Sequence, residues 1–140
     1  MSVISLLVFD PDRLPSMESF RAEAARGGDQ IAVSGNADLR SHTGYLPLRV
    51  FGRDTGFEFY FDAVPQGQLP DEVLRFGSHY IVARSGSDFE EGRAALVFLR
   101  VVARLTDGAY FYPDDGIFVP PNEVQSYLDA QIAEYRKYIK

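Results

Sequence analysis

Two neighbouring segments in which apolar and polar residues alternate constrain the fold of this chain more than any other feature. Residues 46–52 and 57–64 both alternate with a period of two, which is the pattern of a β-strand with one buried face. Between them, residues 53–56 read Arg-Asp-Thr-Gly, a polar, glycine-containing composition that is typical of a turn. The pair therefore predicts a β-hairpin within an antiparallel sheet.

The same alternation assigns the side chains of this hairpin to two faces. Leu48, Val50 and the phenylalanines of the second segment are predicted to share one face and to supply the core. The residues predicted on the other face are Glu58, Tyr60, Asp62, Arg49, Phe51 and Arg53. Opposite charges across neighbouring strands stabilise a sheet, so this second face has a purely structural interpretation beside that of a binding surface.

Three further segments have the patterns of helices. Residues 15–26 place apolar side chains three and four positions apart and stop at a Gly-Gly pair. Ser87 and Glu90 have capping-box spacing at the start of residues 88–105, whose middle is almost entirely apolar, so that helix is predicted to be packed on more than one side. Asn122 is the predicted N-cap of a last helix with one apolar stripe.

The remaining apolar runs complete the predicted order of elements. Residues 3–9 are β-branched and aromatic, and their near-continuous apolarity predicts a central strand. Residues 78–84 predict another strand, and two short strands flank a turn at residues 113–116. The order β-α-β-β-β-α-β-β-α predicts an α+β fold with a mixed, mostly antiparallel sheet and about three helices. With 140 residues and no repeat or linker, the chain is predicted to be one domain, residues 1–140.

The composition of the chain limits the class of protein to which it can belong. The chain has no cysteine, so it has neither disulfides nor thiolate metal sites, and we expect a cytoplasmic protein. Its 46% apolar and 24% charged content is typical of a globular protein. The first residues lack a basic segment and fit a strand better than a signal peptide. No run approaches the roughly 20 apolar residues of a membrane span.

The net charge of −6 is concentrated towards the C-terminal end. Between Arg104 and Arg136 there are six acidic residues and no lysine or arginine. These six residues, here called the acidic stretch, are Asp107, Asp114, Asp115, Glu123, Asp129 and Glu134. An acidic surface repels nucleic acid and attracts basic proteins. The plain alternative is that these charges only keep the chain in solution.

The chain lacks the residue clusters that common catalytic mechanisms need. Two histidines, His42 and His79, without any cysteine leave too few ligands for a zinc site. No serine lies in a G-x-S-x-G elbow, and no glycine-rich phosphate loop occurs. Asp114 and Asp115 are adjacent in a predicted tight turn, without the alternating ligands of a calcium loop. We therefore expect a protein that is not an enzyme and that holds no cofactor or metal.

Five short segments carry a resemblance to known proteins, namely residues 44–48, 55–61, 103–108, 112–116 and 121–123. They resemble bacterial immunity proteins, the small cytosolic proteins encoded beside polymorphic and type VI secreted toxins. The resemblance implies a single domain that binds one cognate toxin tightly, often by covering its active site. Many such toxins are basic nucleases or act on nucleotides, which suits the acidic stretch. No functional residue is carried over, because the matching positions look like fold determinants.

Three functions remain open at this point. The first is a toxin-neutralising binder that contacts neither nucleic acid nor membrane, through a surface predicted from charge and aromatic character. Its predicted partner-binding residues are Asp107, Tyr110, Tyr112, Asp114, Asp115, Glu123, Glu58, Tyr60 and Asp62. The second is a small-ligand or enzymatic domain with an aromatic-lined pocket in which Arg49, Arg53, Glu58 and His42 converge. The third is a module that forms a homodimer through its outer aromatic residues.

Overall fold

The structure is a computed structural model and describes residues 2–139. This part of the chain contains a single seven-stranded sheet. The strands are β1 (Val3–Phe9), β2 (Ile31–Val33), β3 (Gly44–Val50), β4 (Arg53–Ala63), β5 (His79–Ser85), β6 (Ala109–Tyr112) and β7 (Ile117–Val119). Their order across the sheet is β2-β3-β4-β5-β1-β6-β7. Every pair of neighbours is antiparallel, so the predicted α+β class is confirmed while the expected mixture of strand directions is not found.

Four α-helices lie on the two faces of this sheet. They are α1 (Met17–Arg26), α2 (Asp71–Leu74), α3 (Phe89–Thr106) and α4 (Pro121–Arg136). Three of them, α1, α3 and α4, pack on one face, here called the helix face. The short α2 covers part of the other face, here called the open face, where Leu69 and Val73 bury Leu6 and Val8. The sequence pattern missed β2 and predicted only a short helical turn at α2, because three and four residues span little more than one period of the strand and helix patterns.

The core lies between the sheet and α3, as the nearly unbroken apolar middle of that helix predicts. The ring of Phe98 stacks on Phe20 of α1 at 4.7 Å between centroids and meets Phe57 and Phe59 of β4 edge-on at 5.3 and 5.8 Å. All four rings are buried. Burial of each such side chain contributes about 1.5–3 kcal/mol, so this cluster fixes α1 and α3 against the sheet.

The hairpin turns earlier than its polar composition predicts. Val50 pairs with Arg53, which leaves Phe51 and Gly52 as a two-residue turn with φ of 50° and 77°. Two consecutive positive φ values match the twist of a hairpin, so the predicted turn at residues 53–56 is wrong and those residues belong to β4. Arg53 consequently lies on the helix face, and Phe51 lies in the turn rather than on the open face.

The interior position of β1 confirms the prediction of a central strand, and both of its faces are covered. It lies between β5 and β6, with Leu7 and Phe9 towards the main core and Leu6 and Val8 towards α2.

Two helix caps differ from expectation. Asp88, rather than Ser87, accepts the capping hydrogen bond of α3 from the amide of Glu90. Pro120 and Pro121 begin α4, so Asn122 already lies inside the first turn.

Candidate functional site

Four tyrosines and Asp115 surround a recess on the helix face, at the side of the sheet where β6 and β7 end the strand order. Its volume is about 280 Å³. We call it the tyrosine recess. Its lining residues are Val3, Ser5, Leu96, Tyr110, Tyr112, Asp115, Ile117, Tyr127, Gln131 and Tyr135.

The local backbone explains why these side chains meet. Tyr110 and Tyr112 are two apart on β6 and therefore share a face, which is the face that α4 covers. On α4, Tyr127, Gln131 and Tyr135 are spaced four apart and form one stripe directed at β6. The β6–β7 turn then adds Asp115 at the rim.

Tyr110 forms the floor of this recess and is not available at the surface. It is only 3% exposed, and its hydroxyl forms a buried hydrogen bond of 2.8 Å with Ser5 Oγ. Its ring packs against that of Tyr127 at 5.5 Å between centroids. Burial also raises the pKa of the Tyr110 hydroxyl. The expected surface position of Tyr110 is therefore wrong, although the residue does support the recess.

The rim of the recess is negative and rich in hydroxyl groups. Burial, followed by the charges of Asp114 and Asp115, raises the pKa of Tyr112, and burial followed by Asp115 raises that of Tyr127. Both hydroxyls thus keep their protons at neutral pH and can donate as well as accept a hydrogen bond. Within residues 2–139, neither Asp114 nor Asp115 forms an ion pair, so their negative charge is not compensated locally.

The rest of the acidic stretch is dispersed. Asp107 ends α3 and lies 3.4 Å from Arg13, Asp129 accepts from Arg100 at 2.8 Å, and Glu134 accepts from Lys137 at 3.0 Å. Those three charges are therefore partly compensated. Asp107 and Glu123 also lie at the end of the β6–β7 hairpin opposite the turn that carries Asp115, so the structure does not bring them to the tyrosine recess.

The hairpin residues of the predicted surface lie on the other side of the sheet. Glu58, Tyr60 and Asp62 share the open face, as their alternation predicts. The Tyr60 hydroxyl donates to Glu58 Oε1 at 2.9 Å, and Glu58 lies 3.8 Å from Arg84. β5 and β1 separate β4 from β6, and the two faces of the sheet point in opposite directions. The nine predicted residues therefore do not form one surface.

The polar set of the alternative ligand-binding hypothesis does not converge. Arg49 lies on the open face and pairs with Asp54 at 2.9 Å, whereas Arg53 lies on the helix face and pairs with Glu90. His42 lies in the loop before β3, where its Nε2 contacts the backbone oxygen of Tyr45. One of the four residues predicted to meet, Arg53, lines a larger cavity.

That larger cavity lies between the hairpin turn, α3 and α4 and has a volume of about 550 Å³. We call it the arginine pocket. Its lining residues are Phe51, Arg53, Arg93, Asp129, Ile132, Ala133, Arg136 and Ile139. The sequence pattern missed Arg93 because the residue stands at the edge of the apolar run of α3, where an arginine is normally solvent-facing.

Fold and cavities together define a single-sheet α+β domain whose helix face carries an acidic recess and a basic recess. No protein-family model, curated protein or solved structure matches this chain. Across residues 2–139, no group of three or more His, Cys, Asp or Glu side chains is placed to hold a metal ion. None of the helices in the described part of the chain has the length and apolarity to cross a membrane.

Proposed function

We propose that this chain is a non-catalytic binding protein that captures a basic protein partner at the tyrosine recess. The observation that carries the proposal is the rim of the recess, where Tyr112 and Tyr127 stand beside Asp114 and Asp115, which form no ion pair within residues 2–139. Protein-binding hot spots are enriched in tyrosine and have a packed centre. This rim combines that residue type with a defined charge.

The chemistry of the recess suits a lysine or arginine side chain from the partner. A guanidinium or ammonium group can donate to the Asp115 carboxylate and to a tyrosine oxygen at the same time. The faces of the tyrosine rings add a cation–π attraction. The buried Tyr110–Ser5 hydrogen bond holds the floor in place, so little conformational entropy is lost when the partner docks.

The overall charge of the chain supports the same kind of partner. A net charge of −6 attracts a basic protein over a distance and raises the rate of association, most strongly at low salt. The resemblance to immunity proteins then suggests the biological role. The partner would be a cognate secreted toxin with a basic surface, which the chain neutralises in the cytoplasm by covering the toxin's active site.

Charge reversal on each face of the sheet tests this proposal. The tagged chain is used to capture partners from a lysate of its source organism, and each captured protein is purified and titrated against the chain by calorimetry. We expect Asp114→Lys with Asp115→Lys to weaken binding about tenfold or more. The matched control, Glu58→Lys with Asp62→Lys on the open face, reverses the same number of charges and should leave the affinity within about twofold.

The affinity should also fall as salt is raised, because the attraction is electrostatic. Co-expression with the captured partner is the functional test, since a neutralised toxin permits growth. If the open-face variant loses binding while the turn variant retains it, the partner site is the open face and the proposal for the recess is wrong. A chain that rescues no captured toxin, or that turns over a substrate, contradicts the proposed function itself.

A further inference from the structure

Arg93 is a buried cation that forms no ion pair with any residue in the described part of the chain. It is only 7% exposed, and its Nε has no hydrogen-bond partner among the residues that the structure describes. A buried charge without a partner costs several kcal/mol. Native proteins rarely leave such a group unpaired, so a buried arginine that faces a cavity points to a ligand.

The position of Arg93 is fixed by its surroundings. Its guanidinium carbon lies 4.4 Å from the centroid of the Phe51 ring, which the hairpin turn presents to it. Phe51 itself has a positive φ of 50°, in the left-handed region that a residue of its size seldom adopts. The hairpin turn and the first turns of α3 therefore hold a guanidinium at the wall of the arginine pocket.

The remaining lining residues make this pocket positive in an acidic protein. Arg53, Arg93 and Arg136 stand against Asp129 alone, which gives a net lining charge of +2. Asp129 is engaged by Arg100 at 2.8 Å, and Arg53 is engaged by Glu90. Among the described residues, Arg93 and Arg136 are thus the two lining charges without an ion-pair partner. Burial lowers the pKa of Arg93, the charge of Glu90 opposes this shift, and the proximity of Arg53 and Arg136 adds to it.

We propose that the arginine pocket is a binding site for a small organic phosphate, a phosphomonoester with an apolar body. Its phosphate group lies between Arg93 and Arg136, and its apolar part packs on Ile132, Ala133 and Ile139. A phosphate dianion matches the charge of two guanidinium groups, and its three oxygens can accept from both, whereas a carboxylate satisfies only one in bidentate geometry.

The size of the pocket favours an organic phosphate over inorganic phosphate as the ligand. A volume of about 550 Å³ lies within the usual range of small-molecule sites and far exceeds one phosphate group. The apolar side chains of α4 form one wall of the pocket, and an inorganic ion would leave that wall in contact with water. The ligand therefore needs a hydrophobic portion to fill the site.

Calorimetry with phenyl phosphate tests the site on the whole chain. We expect saturable binding of one phenyl phosphate per chain, with at least tenfold weaker binding of inorganic phosphate and of benzoate. Arg136→Gln removes one of the two charges at an exposed position, so the fold should be retained and the affinity should fall about tenfold. Arg75→Gln is the matched control, because Arg75 is exposed like Arg136 but lies outside the pocket.

A second variant separates a ligand-binding role of Arg93 from a structural one. Arg93→Met retains an unbranched side chain against Phe51 and removes the unpaired charge. If the guanidinium is there for a ligand, this variant should bind no phenyl phosphate yet melt at the same temperature as the parent chain or higher. The proposal is overturned if the parent chain binds none of the three anions, if inorganic phosphate or benzoate binds as tightly as phenyl phosphate, if Arg136→Gln leaves the affinity unchanged, or if Arg93→Met lowers the melting temperature.

Discussion

Arg104 on α3 forms a buried ion pair with Asp29, which lies in the loop between α1 and β2. The Asp29 side chain is only 2% exposed, and its carboxylate accepts from both Arg104 and Arg100, the latter at 3.0 Å. Arg104 Nε also donates to Glu23 at 2.7 Å. One guanidinium on α3 thus contacts a carboxylate of α1 and a carboxylate of the loop that leads into β2. This ion-pair network links the C-terminal end of α1 and the loop that follows it to α3.

Removal of Arg104 should destabilise the protein markedly. Arg104→Met retains most of the apolar stem but leaves Glu23 and Asp29 without their shared donor. Because breaking a buried ion pair leaves an uncompensated charge, we expect a loss of about 2–4 kcal/mol in the free energy of unfolding by urea, with Arg100 compensating in part. Arg26→Gln is the control, since Arg26 pairs with the same Glu23 from an exposed position. It should cost less than about 1 kcal/mol. Equal losses in the two variants would contradict a special role for the buried network.

The same network should make stability depend on pH. Hydrogen bonds from Arg26 and then Arg104 lower the pKa of Glu23 from 4.5 to about 2. Because the folded pKa lies below the unfolded value, the stabilisation is fully present above about pH 4.5 and is lost as pH falls through about 2. Glu23→Gln should thus be less stable than the parent chain at pH 7 and equally stable near pH 2. Urea unfolding of both chains at several pH values measures this, and parallel pH profiles would exclude the assignment.

Local patterns in the sequence predict much of this fold. The period of two places Phe57 and Phe59 with Leu48 and Val50 on one face, and the structure confirms it. The position of the turn escaped prediction because Phe51 takes a left-handed conformation that its residue type disfavours. Tertiary packing selects that conformation, since the Phe51 ring lies against Arg93.

The functional sites are harder to predict because they are not local. Tyr110 and Tyr112 are recognisably on one face of a strand, but nothing in the sequence indicates that α4 covers that face and buries Tyr110. The arginine pocket combines residues of a turn and two helices that are far apart in the chain. Periodicity predicts which side of an element is buried, and it does not predict which elements meet there.

Asp107 offers a test of backbone strain at the end of α3. It takes a left-handed conformation with φ of 51°, and its negative charge lies at the helix C-terminus, where the helix dipole is also negative. Asp107→Asn keeps the shape of the side chain and removes its charge, and asparagine tolerates the left-handed conformation better. The substitution also removes a weak, exposed ion pair with Arg13. We expect it to stabilise the chain by about 0.5 kcal/mol in chemical unfolding. Because Asp107 is remote from the tyrosine recess, capture of the basic partner should be unchanged. A destabilised variant would mean that the contact with Arg13 outweighs the unfavourable helix end.

A double-mutant cycle on Ser5 and Tyr110 distinguishes the contribution of the recess floor to stability from the contribution of the rim to partner binding. Their hydroxyls share a single buried hydrogen bond of 2.8 Å. Either Tyr110→Phe or Ser5→Ala leaves one buried hydroxyl without a partner, and each should cost about 1–3 kcal/mol in the free energy of unfolding. The double variant removes both groups together and should be more stable than the sum of the single losses implies, because no unsatisfied hydroxyl remains.

Partner affinity should be unchanged in Tyr110→Phe, since the hydroxyl points towards Ser5 and the ring still supports Tyr127. Additive losses would show that the two hydroxyls do not depend on each other, whereas a loss of partner affinity in Tyr110→Phe would place the Tyr110 hydroxyl itself in the interface.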